Sequence, residues 1–127
     1  MELQITTLIE NQSDDNGTLR FEHGLSIYVE ADGKKILFDT GQSGAFIENA
    51  KALGINLNTL DYCILSHGHY DHTGGVERFV SEVENLPEFI MGEEFFQPKY
   101  KINQTNDYQY NGNSFSEALF SRKSIKH

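Results

Sequence analysis

The sequence predicts one α/β domain, and three observations carry that expectation: a hairpin signal, two helical stripes, and a strand apolar on both parities. "LSIYVEADGKKILFD" sets two apolar runs around Asp32 and Gly33, residues that turn a hairpin through positive φ, and so predicts strands near 25–31 and 34–38. Ahead of them "LQITTLI" alternates in part and reads as another strand, followed by the polar turn "NQSDDNG". "SGAFIENAKALG" carries Ala45, Phe46, Ile47, Ala50 and Leu53 on one helical stripe, which Gly54 is placed to close. "DYCIL" pairs Tyr62 with Ile64 and Cys63 with Leu65, predicting a central strand covered on both faces. Val76, Phe79, Val80, Val83 and Leu86 then recur at helical spacing, opened at Thr73 or Gly74 and stopped by Pro87. "EFIMG" predicts a further short strand.

Composition bounds what such a domain can do. At 127 residues and 38% hydrophobic content the chain has material for one modest core. A net charge of −9, from 19 acidic against 10 basic side chains, argues against a nucleic-acid partner. No apolar run approaches membrane length and the N-terminus has no basic region leading into a long apolar one, so a cytoplasmic protein with no membrane partner is expected. Cys63 is the single cysteine and lies inside the apolar "YCIL", which suits a small core residue. From residue 93 onward the text turns rich in Asn, Gln and aromatics, with a short helix predicted at "SFSEALF". Its aromatics are expected on the surface, or as a lid or pocket wall in a complete protein.

The chemistry concentrates in "ILSHGHYDHTGG", at the C-terminal end of the strand "DYCIL". Three of the chain's five histidines and an aspartate fall between His67 and His72. In an extended loop, His67 and His69 point the same way and can grip one cation, while Asp71 and His72 point elsewhere and can grip a second. Imidazole suits zinc, iron or nickel, and a carboxylate widens the choice to manganese, so one or two divalent metal ions are expected and the ligands alone do not name the metal. Two such cations would acidify a shared water and stabilise the charge of a hydrolytic transition state, with Asp71 as the residue expected to take a catalytic part.

"FDTG" at a strand end, then a helix, then a strand running into "SHGHYDHTGG", resembles the metallo-β-lactamase-fold metallohydrolases. "FEHGLSIYVE" is similar to the branch that holds the methanopterin-precursor synthase-like proteins. The resemblance covers residues 1–92 well and implies an αββα sandwich with metals at one edge between two sheets. It implies His67 and His69 on a first metal, Asp71 and His72 on a second, and Asp39 behind them steadying the loop. By the residues alone Asp39 reads equally as a turn residue. The resemblance also puts the loop of His23 at the edge of the site, where His23 could meet a substrate, and leaves Tyr70 either leaning over the metals or packing.

The family completes its site with later histidines and a bridging aspartate. Here the later candidates are His127, the final residue, and Asp107 in the polar "NQTNDYQYNG", and neither has the context of a ligand. The expected architecture is therefore a metallo-β-lactamase-like α/β fold truncated to its N-terminal half, residues 1–92, with 93–127 continuing the same domain. The expected function is a metal-dependent hydrolase acting on a small phosphate- or ester-bearing metabolite, incomplete in this chain. The alternative is a non-catalytic metal-binding or interaction protein. Either way a sheet bare on one face favours a homo-oligomer or other association through that face.

Overall fold

The computed structural model describes residues 2–12, 17, 19–92, 95–96, 100–102, 108–110, 112, 115, 117–122 and 126. His127 and Asp107 lie outside them. Strands β1 (Leu3–Ile9), β2 (Ser26–Ala31) and β3 (Lys34–Phe38) form an antiparallel meander. The turn between β2 and β3 puts Asp32 at φ 51° and Gly33 at φ 79°, the double positive φ that tight hairpins need. Helix α1 (Ala45–Ala52) then leads, through a 3-10 turn at Leu57–Thr59, to β4 (Tyr62–Ile64), which runs parallel to β3. A single helical turn, α2 (Tyr70–Thr73), and helix α3 (Val76–Glu82) connect β4 to β5 (Glu88–Ile90), again in parallel. The result is a mixed five-stranded sheet in the order β1-β2-β3-β4-β5.

Side-chain alternation divides this sheet into two unlike faces. Tyr28, Leu37, Cys63 and Phe89 lie in one cross-strand row and are buried. They meet Phe46 of α1 and Phe79 of α3, whose rings stand edge to face at 5.8 Å. The opposite face carries the rows Ile5, Val29, Ile36, Tyr62, Glu88 and Ile27, Phe38, Ile64, Ile90. It remains open, with Leu3 57%, Ile5 61% and Ile90 42% exposed.

Four expectations change. β4 is penultimate rather than central, and Tyr62 and Ile64 on its far face are half-exposed, because the helices cover one side of the sheet. Helix α3 stops at Glu82, before Val83 and Leu86. There Asn58 Oδ1 accepts the backbone N–H groups of Glu84 and Asn85, offering them the partner a continued helix would have supplied. The histidine stretch is extended only at its start, since Asp71 and His72 belong to α2. Beyond residue 93 the chain forms the hairpin β6 (Tyr100–Ile102) and β7 (Tyr108–Tyr110) and the short helix α4 (Ala118–Arg122). Far from lying on the surface, Phe95, Phe115 and Phe120 are buried, with Phe120 4.7 Å from the ring of Phe89.

Candidate metal centre

The parallel strands β3 and β4 end side by side, and the crevice beyond such carboxyl ends is where open α/β sheets place their sites. Asp39 directly follows β3, Ser66 and His67 follow β4, and residues 20–25 enter from the other direction to begin β2. Asp39 is fully buried with φ 61°, a left-handed backbone that aspartate tolerates better than most residues. Its N–H donates to Ile64 O at 2.9 Å, and its own carbonyl accepts from Ser26 Oγ at 2.8 Å, so the unusual backbone is held on both sides.

The Asp39 carboxylate is the hub of the site. Oδ1 accepts from Ser66 N at 2.8 Å; Oδ2 accepts from Ser66 Oγ at 2.6 Å and from His72 Nδ1 at 2.8 Å. A carboxylate can only accept, so Nδ1 of His72 carries a proton, and in the neutral ring Nε2 keeps its lone pair. Ser66 spends its single hydroxyl proton on Asp39. Its oxygen therefore accepts from His67 Nδ1, 2.8 Å away, which frees Nε2 of His67 in the same way. Burial and the neighbouring imidazoles of His72 and His69 hold the His67 pKa below the ordinary histidine value, so its ring stays neutral to lower pH.

Facing these nitrogens, His67, His69 and Asp71 each bring a ligand atom within 4.8 Å of the others. The His67 ring lies 4.7 Å from that of His69, perpendicular to it, and 4.2 Å from that of His72. Asp71 Oδ2 is 3.5 Å from His72 Nε2, so this carboxylate stands between the paired histidines and His72. Metal bonds of about 2.0–2.2 Å place ligand atoms roughly 3–4 Å apart, so this set fits a divalent cation after small side-chain rotations. His23 reaches the same carboxylate, with Nε2 3.2 Å from Asp71 Oδ2, and the Tyr70 ring lies 6.2 Å from that of His23.

The loop is fixed by its backbone. His69 O accepts from the N–H groups of His72 and Thr73 and from Thr73 Oγ1, which winds α2. Thr40, fully buried, donates through N and Oγ1 to His72 O and accepts from Gly75 N. A Cβ at Gly74 would lie 1.9 Å from Gln42 O, so the paired glycines let α3 start against the "FDTG" turn.

Sequence reasoning passed over Ser66, Thr40, Glu22 and Asn49. Ser66 had a visible signal, its place at a strand end immediately before the motif. The other three have partners more than a dozen residues away. Asn49, buried on α1, donates to Leu8 O and Arg20 O and accepts from Arg20 N.

With this geometry in place, a sequence model of the metallo-beta-lactamase superfamily matches residues 19–108. The chain belongs to that superfamily. Its sheet and helices are those of the superfamily's fold: the crystal structure of Tm1679, a metal-dependent hydrolase of the beta-lactamase superfamily, superposes on 94% of the chain and 40% of its own length with a TM-score of 0.69 at 28% identity. Among curated relatives, the 7,8-dihydropterin-6-methyl-4-(beta-D-ribofuranosyl)-aminobenzene-5'-phosphate synthase of Methanocaldococcus jannaschii is 38% identical over 93 residues, 68% of this chain and 32% of that one. A UPF0173 metal-dependent hydrolase of Staphylococcus aureus (strain MRSA252) is 38% identical over 65 residues, 49% of this chain and 26% of its own. This superfamily member thus spans between a quarter and a third of the length of these relatives. Among its described residues no helix is long and apolar enough to cross a membrane.

Proposed function

We propose that this protein is a metal-dependent hydrolase acting on a small phosphate- or ester-bearing metabolite, with His67, His69, Asp71 and His72 holding one or two divalent cations, zinc first and iron or manganese otherwise. The observation that carries the reading is the convergence of His67, His69 and Asp71 within 4.8 Å while Asp39 and Ser66 hold the protons of His72 and His67 on the far ring nitrogens. Support for the substrate class comes from the methanogen relative, whose own name carries a phosphate. The single thiol, buried and unpaired at Cys63, suits a reducing compartment, and the reading keeps the protein in the cytoplasm.

When bound, a divalent cation supplies Lewis-acid polarisation of the substrate and an acidified water. The chain's own groups do the rest. Asp39 fixes two imidazoles in the tautomer that exposes Nε2, which is the usual task of a carboxylate behind a histidine ligand. Asp71, shared between the paired histidines and His72, can hold cations side by side or accept a proton from an attacking water. His23 stands at the rim, where a substrate would arrive.

A second reading, a non-catalytic metal-binding or interaction protein, is favoured by the open apolar rows of the sheet. In both readings those rows associate with a second copy or another chain. The deciding experiment is elemental analysis of purified protein together with hydrolysis of p-nitrophenyl phosphodiesters and esters in added zinc or manganese. Metal-dependent turnover lost in His67→Ala supports the enzyme. Bound metal without turnover supports the second reading, and a protein that neither carries nor takes up metal refutes the enzyme and leaves only the interaction protein.

A further inference from the structure

Residues 20–25 are tied down far more heavily than a surface connection requires. Asn49 grips the N–H and the carbonyl of Arg20, and Glu22 N donates to Glu10 O at 3.2 Å. The Glu22 carboxylate accepts from Gln42 N at 2.6 Å, from Ser43 N at 2.9 Å and from Ser43 Oγ at 2.5 Å. Leu25 O accepts from Gly41 N at 2.9 Å. None of these bonds touches the histidine cluster, and together they fix where the middle of the segment lies.

That middle lies against one residue. Leu25 N donates to Asp71 O at 3.4 Å, and His23 Nε2 stands 3.2 Å from Asp71 Oδ2. Between them Gly24, at φ 143°, packs so closely that a Cβ would come 2.3 Å from Asp71 O. Backbone and side chain of Asp71 are therefore both held by the same short stretch. Asp71 needs this, because its carboxylate has contacts with imidazoles on two sides and α2 is a single turn with no side-chain cap at its start.

We propose that residues 20–25 form a clamp on Asp71, with His23 a positioning residue whose imidazole keeps the Asp71 carboxylate turned toward the cation; the proposal rests on the metal reading of the site. Free to rotate, the carboxylate would lose orientation with each turn about its side-chain bonds, and the cation would be held mainly by the histidines. Ligand-orienting contacts of this kind are worth about 10–100-fold in metal affinity.

The test is zinc affinity of the 127-residue chain, measured by competition with a chromophoric chelator, for wild type, His23→Ala, His23→Gln and a His67→Ala/His69→Ala double variant. His23 is 59% exposed, so its replacement leaves the core intact, which circular dichroism verifies. The clamp predicts that H23A binds zinc about tenfold more weakly and that H23Q, whose amide can reach the same oxygen, recovers most of the loss. The cobalt(II) spectrum of H23Q should match wild type, while that of H23A should change. Unchanged affinity in H23A overturns the clamp and leaves His23 to the substrate. Equal loss in H23A and H23Q overturns it by making His23 a ligand. Wild type binding no better than the double variant removes the metal reading, and the clamp with it.

Discussion

At the scale of single residues, Asp39 does the most with the least exposure. Its carboxylate accepts three hydrogen bonds, and through them sets the protons of His67 and His72. Asp39→Asn isolates this function, since asparagine tolerates the same left-handed backbone but presents an NH2 where an acceptor is needed. Zinc affinity should fall about tenfold or more in D39N, with a stability loss of about 1–3 kcal/mol from a donor left facing a donor. Equal affinity in D39N and wild type would reduce Asp39 to a turn residue. Ser66→Ala should weaken binding less, because His72 keeps its direct bond to Asp39. Cys63 gives a pH prediction. Burial, and secondarily the charge of Asp39, pushes its thiol well above the ordinary value of 9.0. Below that pH the folded and unfolded chains both hold the proton; above it the unfolded chain alone releases it, so stability falls as pH rises past about 9 by up to about 1.4 kcal/mol per unit. Urea midpoints from pH 8 to 10 should drop more steeply for wild type than for Cys63→Ala, and the folded thiol should resist aromatic disulfide reagents.

Among elements, the predictions that succeeded rest on local signals. Asp32-Gly33 turned where expected, and Ala45, Phe46, Ile47 and Ala50 pack as an apolar helix face, while Leu53, the last residue of the expected stripe, caps the helix and is exposed. The candidate metal cluster stands out in the sequence for the same kind of reason, since four potential donors within six positions need no tertiary knowledge to be noticed. What was not legible depends on distant partners: Asn58 ending α3, Glu22 holding the turn before α1, and the burial of Phe95, Phe115 and Phe120 under a segment whose sequence shows little period. The pair Gly74-Gly75 stands between the two cases. It is visible as a motif, yet its reason appears only when Gln42 O and Thr40 O are found where a Cβ would sit. Gly75→Ala should therefore separate α3 from the "FDTG" turn, with a loss above about 4 kcal/mol, the range of severe backbone or packing damage. Urea denaturation measures it, and a loss below 1 kcal/mol would show that the junction yields cheaply.

For the whole molecule, the decisive asymmetry is between the two faces of one sheet. Helices α1 and α3 bury the row Tyr28, Leu37, Cys63 and Phe89, while the opposite face carries two apolar rows, Ile5 to Tyr62 and Ile27 to Ile90, with the charges of Lys34 and Glu88 at its margins, and stays partly open to water. Soluble chains seldom leave so continuous an apolar surface uncovered, and each side chain newly buried there contributes about 1.5–3 kcal/mol. The net charge of −9 opposes association by repulsion, so salt should screen the opposition and leave the apolar attraction in place. The expected outcome is a self-associating protein whose dimer or larger species strengthen with added salt in sedimentation velocity. A double variant, Ile5→Lys with Val29→Glu, places opposite charges at directly paired positions of the neighbouring strands β1 and β2 on this face, where they can partner each other within one copy but resist burial between copies. It should shift the protein to monomer while the buried row keeps the fold, read by circular dichroism. A wild-type monomer at high salt, or a variant that associates as before, would show that these rows are not what the chain presents to others.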